Sequence, residues 1–176
     1  MNINEVTREV FINHITDLKE DKFAKTFRAK CDMMGLWDKC LGIFEGEELC
    51  CVIVITISKR EPKIANLQLI HTFFKHRKKG YARKLTELVI EDIIDEIDYL
   101  RVSAEKSAVG FYEKLGFKFL GEQKSGCQLS ICKTTSSDIS KCSFNLSDPI
   151  INKAVYRKGK GGCVNVFNLD EKYEKF

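Results

Sequence analysis

The sequence predicts an α/β domain in which strands and helices are mixed along the chain, and three observations predict it. Apolar and β-branched runs of strand length recur around glycine-containing turns, the longest being Leu49–Ile57. Beyond Gly80 the apolar period becomes helical, with Ala82, Leu85, Val89, Ile93 and Ile97 at i, i+3, i+7, i+11 and i+15. Between these two patterns lies a cation-rich loop joining strand to helix. The chain has 176 residues, 44% hydrophobic and 31% charged, with 11 Gly and 2 Pro. That composition excludes collagenous, coiled-coil and low-complexity classes. A domain of this length removes roughly 70% of its unfolded surface from water, enough for a core without disulfide or metal staples.

The elements follow in chain order. Residues 5–34 read as one or two helices, because Phe23, Phe27 and Cys31 recur at four-residue steps, with Ala24 and Met34 able to extend the face. Leu41–Phe44 and Leu49–Ile57 form a hairpin about the turn at Gly46. Ser58–Lys63, which contains Pro62, is a second turn, and Ile64–Phe74 a third strand. The helix from Ala82 runs to Ile97, and Tyr99–Ser103 is a short strand. Ser107 is the expected cap of a helix carrying Ala108, Phe111, Tyr112 and Leu115, closed by Gly116 in a left-handed conformation. Phe117–Leu120 and Cys127–Cys132 are two further strands. Residues 134–148 are polar and linker-like, and a small hairpin, Ile150–Tyr156 with Cys163–Phe167, turns at Gly159–Gly162.

Eight cysteines accompany no CxxC pair and no basic, apolar leader, so they read as reduced thiols of a cytoplasmic protein. Cys50 and Cys51 point to opposite faces of one strand, a poor pair for a single ion, so no metal site is expected. No basic neighbour marks Cys50, Cys51 or Cys127 as a nucleophile, and core packing is the expected role. The longest apolar run, about nine residues, falls far short of the roughly 20 that span a bilayer. A net charge of +4 is too small to name nucleic acid as a partner.

The distribution of charge says more. Lys75–Lys84 holds six Lys or Arg and one His, whereas Glu87–Asp98 holds six acids and no base. Both ends of this helix oppose its macrodipole, at about 0.3–1 kcal/mol for each misplaced charge. Strand, basic glycine loop and helix N-terminus together make an anion site. The plainer alternative is a solvated basic face.

Arg77-Lys78-Lys79-Gly80-Tyr81-Ala82 resembles the [Q/R]-x-x-G-x-[G/A] loop of the GCN5-related N-acetyltransferases, and Ala108–Phe117 is similar to that family's A-x-x-[FL]-Y-E-K-L-G-F segment. The resemblance is specific over residues 49–133 and absent from 134–176. It implies a mixed, mostly antiparallel sheet of six or seven strands with helices on both faces, over residues 1–133; the polar segment 134–148 and the hairpin beyond it read as a linker and a C-terminal appendage at 149–176. It implies acetyl-coenzyme A as the acyl donor, held by Phe73, Phe74, Arg77, Lys78, Lys79, Gly80, Tyr81, Ala82 and Arg83. The physics agrees, since Gly80 lets backbone approach phosphate oxygens and the small Ala82 keeps the first helical turn near the ligand.

The implied reaction is direct attack of an amine on the thioester. A backbone N–H of the strand Ile64–Phe74 would meet the oxygen that gains charge. Tyr112 maps to the family's general acid, with the alternative that it is one more aromatic of a buried helical stripe. Some histone-acetylating members carry a glutamate eleven residues before the loop; Asn66 stands there and cannot take a proton. His71 and Glu105 are the remaining candidate bases, beside one acting through water.

Three functions compete. The first is an N-acetyltransferase acting on a small-molecule or protein amine, as a monomer or homodimer with no membrane association. The second directs the same fold at nucleic acid through Lys153, Arg157, Lys158 and Lys160 around Tyr156. The third, motivated by Asn66, is a coenzyme A-binding module without turnover.

Overall fold

The computed structural model describes residues 2–16, 38–59, 63–123, 125–133, 143–149, 156–158 and 163–166. Strand β1 (Asn2–Glu5) leads into helix α1 (Arg8–Thr16), and β2 (Lys39–Glu45) and β3 (Glu48–Ile57) make the expected hairpin. Its turn works because Gly46 adopts φ +63°. β1 pairs antiparallel with β2, Asn2 opposite Phe44 and Glu5 opposite Leu41. The sequence reading placed no strand at β1; pairing with β2, not local pattern, extends it. Phe23, Phe27 and Cys31 lie outside the described residues.

The residues fall into two units, Met1–Thr56 with Gln68–Val89 and Ile57–Leu67 with Ile90–Phe176. In the first, Val6, Phe11, Cys40, Leu49, Val52, Val54 and Leu69 form a buried cluster, with Phe44 and Phe73 packed against it. Leu49–Ile55 of β3 are all buried, not alternately. A strand covered on both faces reads as a continuous apolar run, which is why 49–57 shows no polar alternation. Each such Val, Ile or Leu contributes about 1.5–3 kcal/mol on burial.

Strand β4 (Ile64–Thr72) ends two residues before the expected Phe74. The Phe73 N–H turns to the Cys50 carbonyl (3.0 Å), and the Phe73 carbonyl accepts the His76 N–H (2.9 Å), which starts a 3-10 turn at Phe74–His76. Helix α2 (Tyr81–Ile93) buries Leu85, Val89 and Ile93, the stripe the period predicts. It stops short of Ile97: residues 94–96 tighten into a 3-10 turn and Ile97 is extended. The last turn of α2 holds no base of its own, so its acids stand at the negative end of the dipole.

In the second unit, β4 pairs in parallel with β5 (Tyr99–Ala104), Ile64 opposite Tyr99, through the crossover that contains α2. β5 pairs antiparallel with β7 (Gln128–Lys133), and β7 with β6 (Lys118–Gln123). The mixed, mostly antiparallel α/β fold is therefore as expected, with seven strands among the described residues of 1–133. Helix α3 (Val109–Glu113) corrects the expected cap: Ser107 lies inside a 3-10 turn, Lys106–Ala108, and Ala108 precedes α3 without a side-chain cap. The C-terminal end is as read. Gly116 has φ +87°, and the Phe117 N–H reaches the Tyr112 carbonyl at 3.0 Å, satisfying a carbonyl that the helix leaves open.

Within the stretch read as linker-like, Ser143–Pro149 forms β8, paired antiparallel with both β6 and β10 (Cys163–Val166). β10 pairs in turn with β9 (Tyr156–Lys158), which shares only Tyr156 with the first strand expected at Ile150–Tyr156; residues 150–155 lie outside the described residues. Residues 134–142, Lys153 and Lys160 lie outside the described residues. Among the described residues no helix is long and apolar enough to cross a membrane.

Candidate functional site

The loop between β4 and α2 is built by two left-handed residues. Lys78 has φ +66° and Gly80 φ +79°, so the chain reverses sharply before entering α2. The Gly80 carbonyl accepts the Lys84 N–H (3.1 Å), the first link of the helical ladder. The earlier N–H groups of this turn have no intrahelical acceptor and mark the positive end of the dipole. A Cβ at Gly80 would meet no atom within 4 Å, so the glycine serves conformation and leaves open space beside the backbone. Left-handed backbone, free helix N–H groups, clustered cations and open space fit a polyphosphate such as the pyrophosphate of coenzyme A.

The side chains of the loop divide into engaged and free cations. Arg77 donates through Nε to the Thr72 carbonyl (3.2 Å) and lies over the Phe74 ring at 5.4 Å. Phe74, 79% exposed, is the large apolar group that the loop presents to solvent. Arg83 pairs with Glu87 at 2.7 Å along α2, and the Ala82 carbonyl accepts the Thr86 hydroxyl at 2.8 Å. Lys79 sits 3.2 Å from Glu45, which also accepts the Tyr81 hydroxyl. Lys78 and Lys84 form no ion pair among the described residues and leave their charge available to an anion.

Beneath the loop lies a polar group that sequence reading missed. His76 is buried, its Nδ1 3.5 Å from Glu45 Oε2 and its Nε2 3.2 Å from Glu48 Oε1. The Tyr81 hydroxyl, then Lys79, hold the Glu45 carboxyl below its ordinary range; His76 and Lys75 do the same for Glu48. Glu45 in return raises the pKa of both Lys79 and Tyr81. The spacing of residues 45, 48 and 76 carries no motif; only the pairing of the hairpin turn with the loop brings them together.

The candidates divide between the units. His71, on β4, is half-buried with its ring edge-on to Phe73 at 5.0 Å, and Phe73 faces the core cluster. In the second unit, Asn66 accepts a hydrogen bond from Arg101 Nε through Oδ1, so that position holds an arginine, not a proton. Glu105 follows β5, exposed, its carbonyl accepting the Ala108 N–H at 2.8 Å. Tyr112 is buried between Phe111 and Phe117, ring centroids at 5.1 and 5.4 Å. Desolvation pushes its phenol up to about 12.

Cys50 and Cys51 are buried, with thiols raised by desolvation, Cys51 to about 11. Neither has the depressed pKa of a nucleophile.

Residues 14–131 match the family model described as an acetyltransferase (GNAT) domain. No curated protein matches the chain in sequence. Among solved structures, the ribosomal-protein-S18-alanine N-acetyltransferase from Escherichia coli is similar at 13% identity and TM-score 0.59, covering 81% of this chain and 99% of its own. The PaiA N-acetyltransferase from Thermoplasma acidophilum, in complex with coenzyme A, has 18% identity and TM-score 0.58, over 75% and 98%. A GNAT-family acetyltransferase from Staphylococcus aureus Mu50 has 14% identity and TM-score 0.61, over 76% and 99%. These likenesses show the fold, and with the family match over two thirds of the residues the chain belongs to the GNAT acetyltransferase family.

Proposed function

We propose that the protein is an N-acetyltransferase that moves an acetyl group from acetyl-coenzyme A to a primary amine by direct attack in a ternary complex. The observation that carries this reading is the loop Arg77–Ala82, whose left-handed Lys78 and Gly80 turn the chain sharply into a helix N-terminus, a geometry suited to an anion. Acetyl-coenzyme A, the acyl donor of this family, supplies a thioester whose carbonyl carbon is open to an amine.

The residues of this chain then have separable tasks. Lys78 and Lys84 attract the phosphates, and the N–H groups at the start of α2 orient them. Tyr112 acts on the leaving sulfur, and its pKa sets the manner. A phenol near 12 facing an ordinary thiol near 8.5 is about 3.5 units too weak an acid, or about 5 kcal/mol against full proton transfer. Tyr112 therefore stabilises the departing thiolate as a hydrogen-bond donor, without full proton transfer. With Asn66 bound to Arg101, the base role passes to His71 or Glu105. His71→Gln and Glu105→Gln decide between them through the acidic limb of kcat/KM against pH, which the true base alone removes.

The first test is thermal unfolding with acetyl-coenzyme A, with ADP, and with a Gly80→Glu variant. At ~100 times its dissociation constant a ligand adds roughly 2.7 kcal/mol, several degrees in a domain of this size. A shift larger than that of ADP and absent from Gly80→Glu supports the donor site; no shift sinks it. Coenzyme release with a panel of primary amines then separates an enzyme from a binding module.

A further inference from the structure

The structure assigns a zinc-class metal site to Glu45, Cys50 and His76, at the turn of the β2–β3 hairpin and beneath the loop. One ligand atom from each, a carboxylate oxygen, Sγ and an imidazole nitrogen, lies within 4.8 Å of the other two. The inference stands apart from the acetyltransferase reading, because no ligand uses the coenzyme loop's free cations.

His76 is the pointer. It is 5% exposed, yet neither ring nitrogen makes a hydrogen bond of good geometry among the described residues. Buried polar atoms are rarely left in that state. Nδ1 faces Glu45 Oε2 at 3.5 Å, while Nε2 faces Glu48 Oε1 at 3.2 Å. A metal-bound imidazole uses neighbours of this kind, one nitrogen on the ion and the other turned to donate to a carboxylate that fixes its tautomer. Glu48 is thus a positioning residue and not a ligand.

The donor set selects the ion. Thiolate and imidazole suit Zn²⁺ and disfavour Mg²⁺ and Ca²⁺, which take oxygen. With Zn–S near 2.3 Å and Zn–N near 2.0 Å, the three atoms need to close by about 1 Å. The freedom to do so is present: Lys79, 45% exposed, can leave Glu45 for solvent, and the bond from the Cys50 thiol to the Glu48 carbonyl is a long 3.4 Å. Binding replaces the S–H bond of Cys50 with an S–metal bond and releases one proton to solvent. A water completes the fourth position.

The test uses the reduced, full-length chain stripped with a chelator and titrated with Co²⁺ alone. One equivalent is expected to give a thiolate-to-cobalt charge-transfer band and tetrahedral visible bands, displaced by Zn²⁺, with one proton released per ion. Cys50→Ser abolishes the charge-transfer band and His76→Gln weakens binding at least ~100-fold, Glu48→Gln weakens it by about 10–100-fold, and Cys127→Ser retains it. No such band on the unaltered chain, a measurement independent of whether any variant folds, overturns the site. So does a band that survives Cys50→Ser.

Discussion

The Lys79 ammonium lies 3.2 Å from Glu45 Oε2, so one cation of the loop is neutralised from within the protein. Lys78, next to it, has no such partner among the described residues. The two lysines therefore have unequal value to a polyanion. Lys78→Met should weaken coenzyme A binding about 5–10-fold, near 1 kcal/mol, and Lys79→Met less than about 3-fold, by titration calorimetry at low salt. The opposite ranking would show that Lys79 abandons Glu45 for phosphate.

Lys78 also holds its position against its own backbone preference. A left-handed lysine costs about 1–2 kcal/mol, whereas glycine there loses about 0.5–1 kcal/mol of chain entropy. Lys78→Gly should accordingly raise stability by about 0.5 kcal/mol, read as a higher urea midpoint at unchanged slope, while weakening coenzyme binding like Lys78→Met. Stability and affinity moving in opposite directions is the signature to look for.

Gly42 is constrained by neighbours rather than by conformation. A Cβ there would stand 2.5 Å from Leu49 Cδ1 and 2.6 Å from Val6 Cγ2, inside the first unit's core. Gly42→Ala should cost about 1–3 kcal/mol and lower the Tm by several degrees. Adding Leu49→Ala should cost less in that background than alone, because the crowding is relieved; simple additivity would refute the steric account.

Tyr112→Phe separates catalysis from packing. Loss of the hydroxyl should lower kcat about 10–100-fold with coenzyme affinity intact, since the ring contacts with Phe111 and Phe117 remain. The same variant has a stability signature. The folded pKa of about 12 lies above the ordinary 10, so the contribution of Tyr112 is complete below pH 10 and is lost as pH rises through 12. It amounts to at most about 3 kcal/mol, and denaturant unfolding of Tyr112→Phe should show a flatter decline across that interval. An unchanged kcat would leave Tyr112 a core aromatic.

What the sequence makes legible is local. The hairpin at Gly46, the left-handed Gly80 and Gly116, and the Leu85–Val89–Ile93 stripe each rest on residues within a few positions of one another. The rest depends on distant partners. Asn2–Glu5 is a strand only because β2 pairs with it, and β8 lies in a polar stretch whose strand character comes from β6 and β10. The Asn66–Arg101 bond joins residues 35 apart, and His76 meets Glu45 across 31 positions that carry no pattern. Helix ends escape local pattern for a related reason: Ile97 keeps the period of α2, but the chain tightens into a 3-10 turn at 94–96 and the helix stops at Ile93.

The thiols of β3 provide a clock. Cys51 has a pKa near 11, its sulfur accepting the Thr72 hydroxyl at 3.3 Å, so at pH 7 only about one molecule in ten thousand carries its thiolate. Burial adds a second barrier to any alkylating reagent. Cys127, half-exposed, lacks the barrier of burial. A pulse of iodoacetamide would label Cys127 on the native protein at once and Cys51 only when β3 opens. The ratio of the two adducts, followed by mass spectrometry, times the opening of the first unit's central strand without any introduced probe.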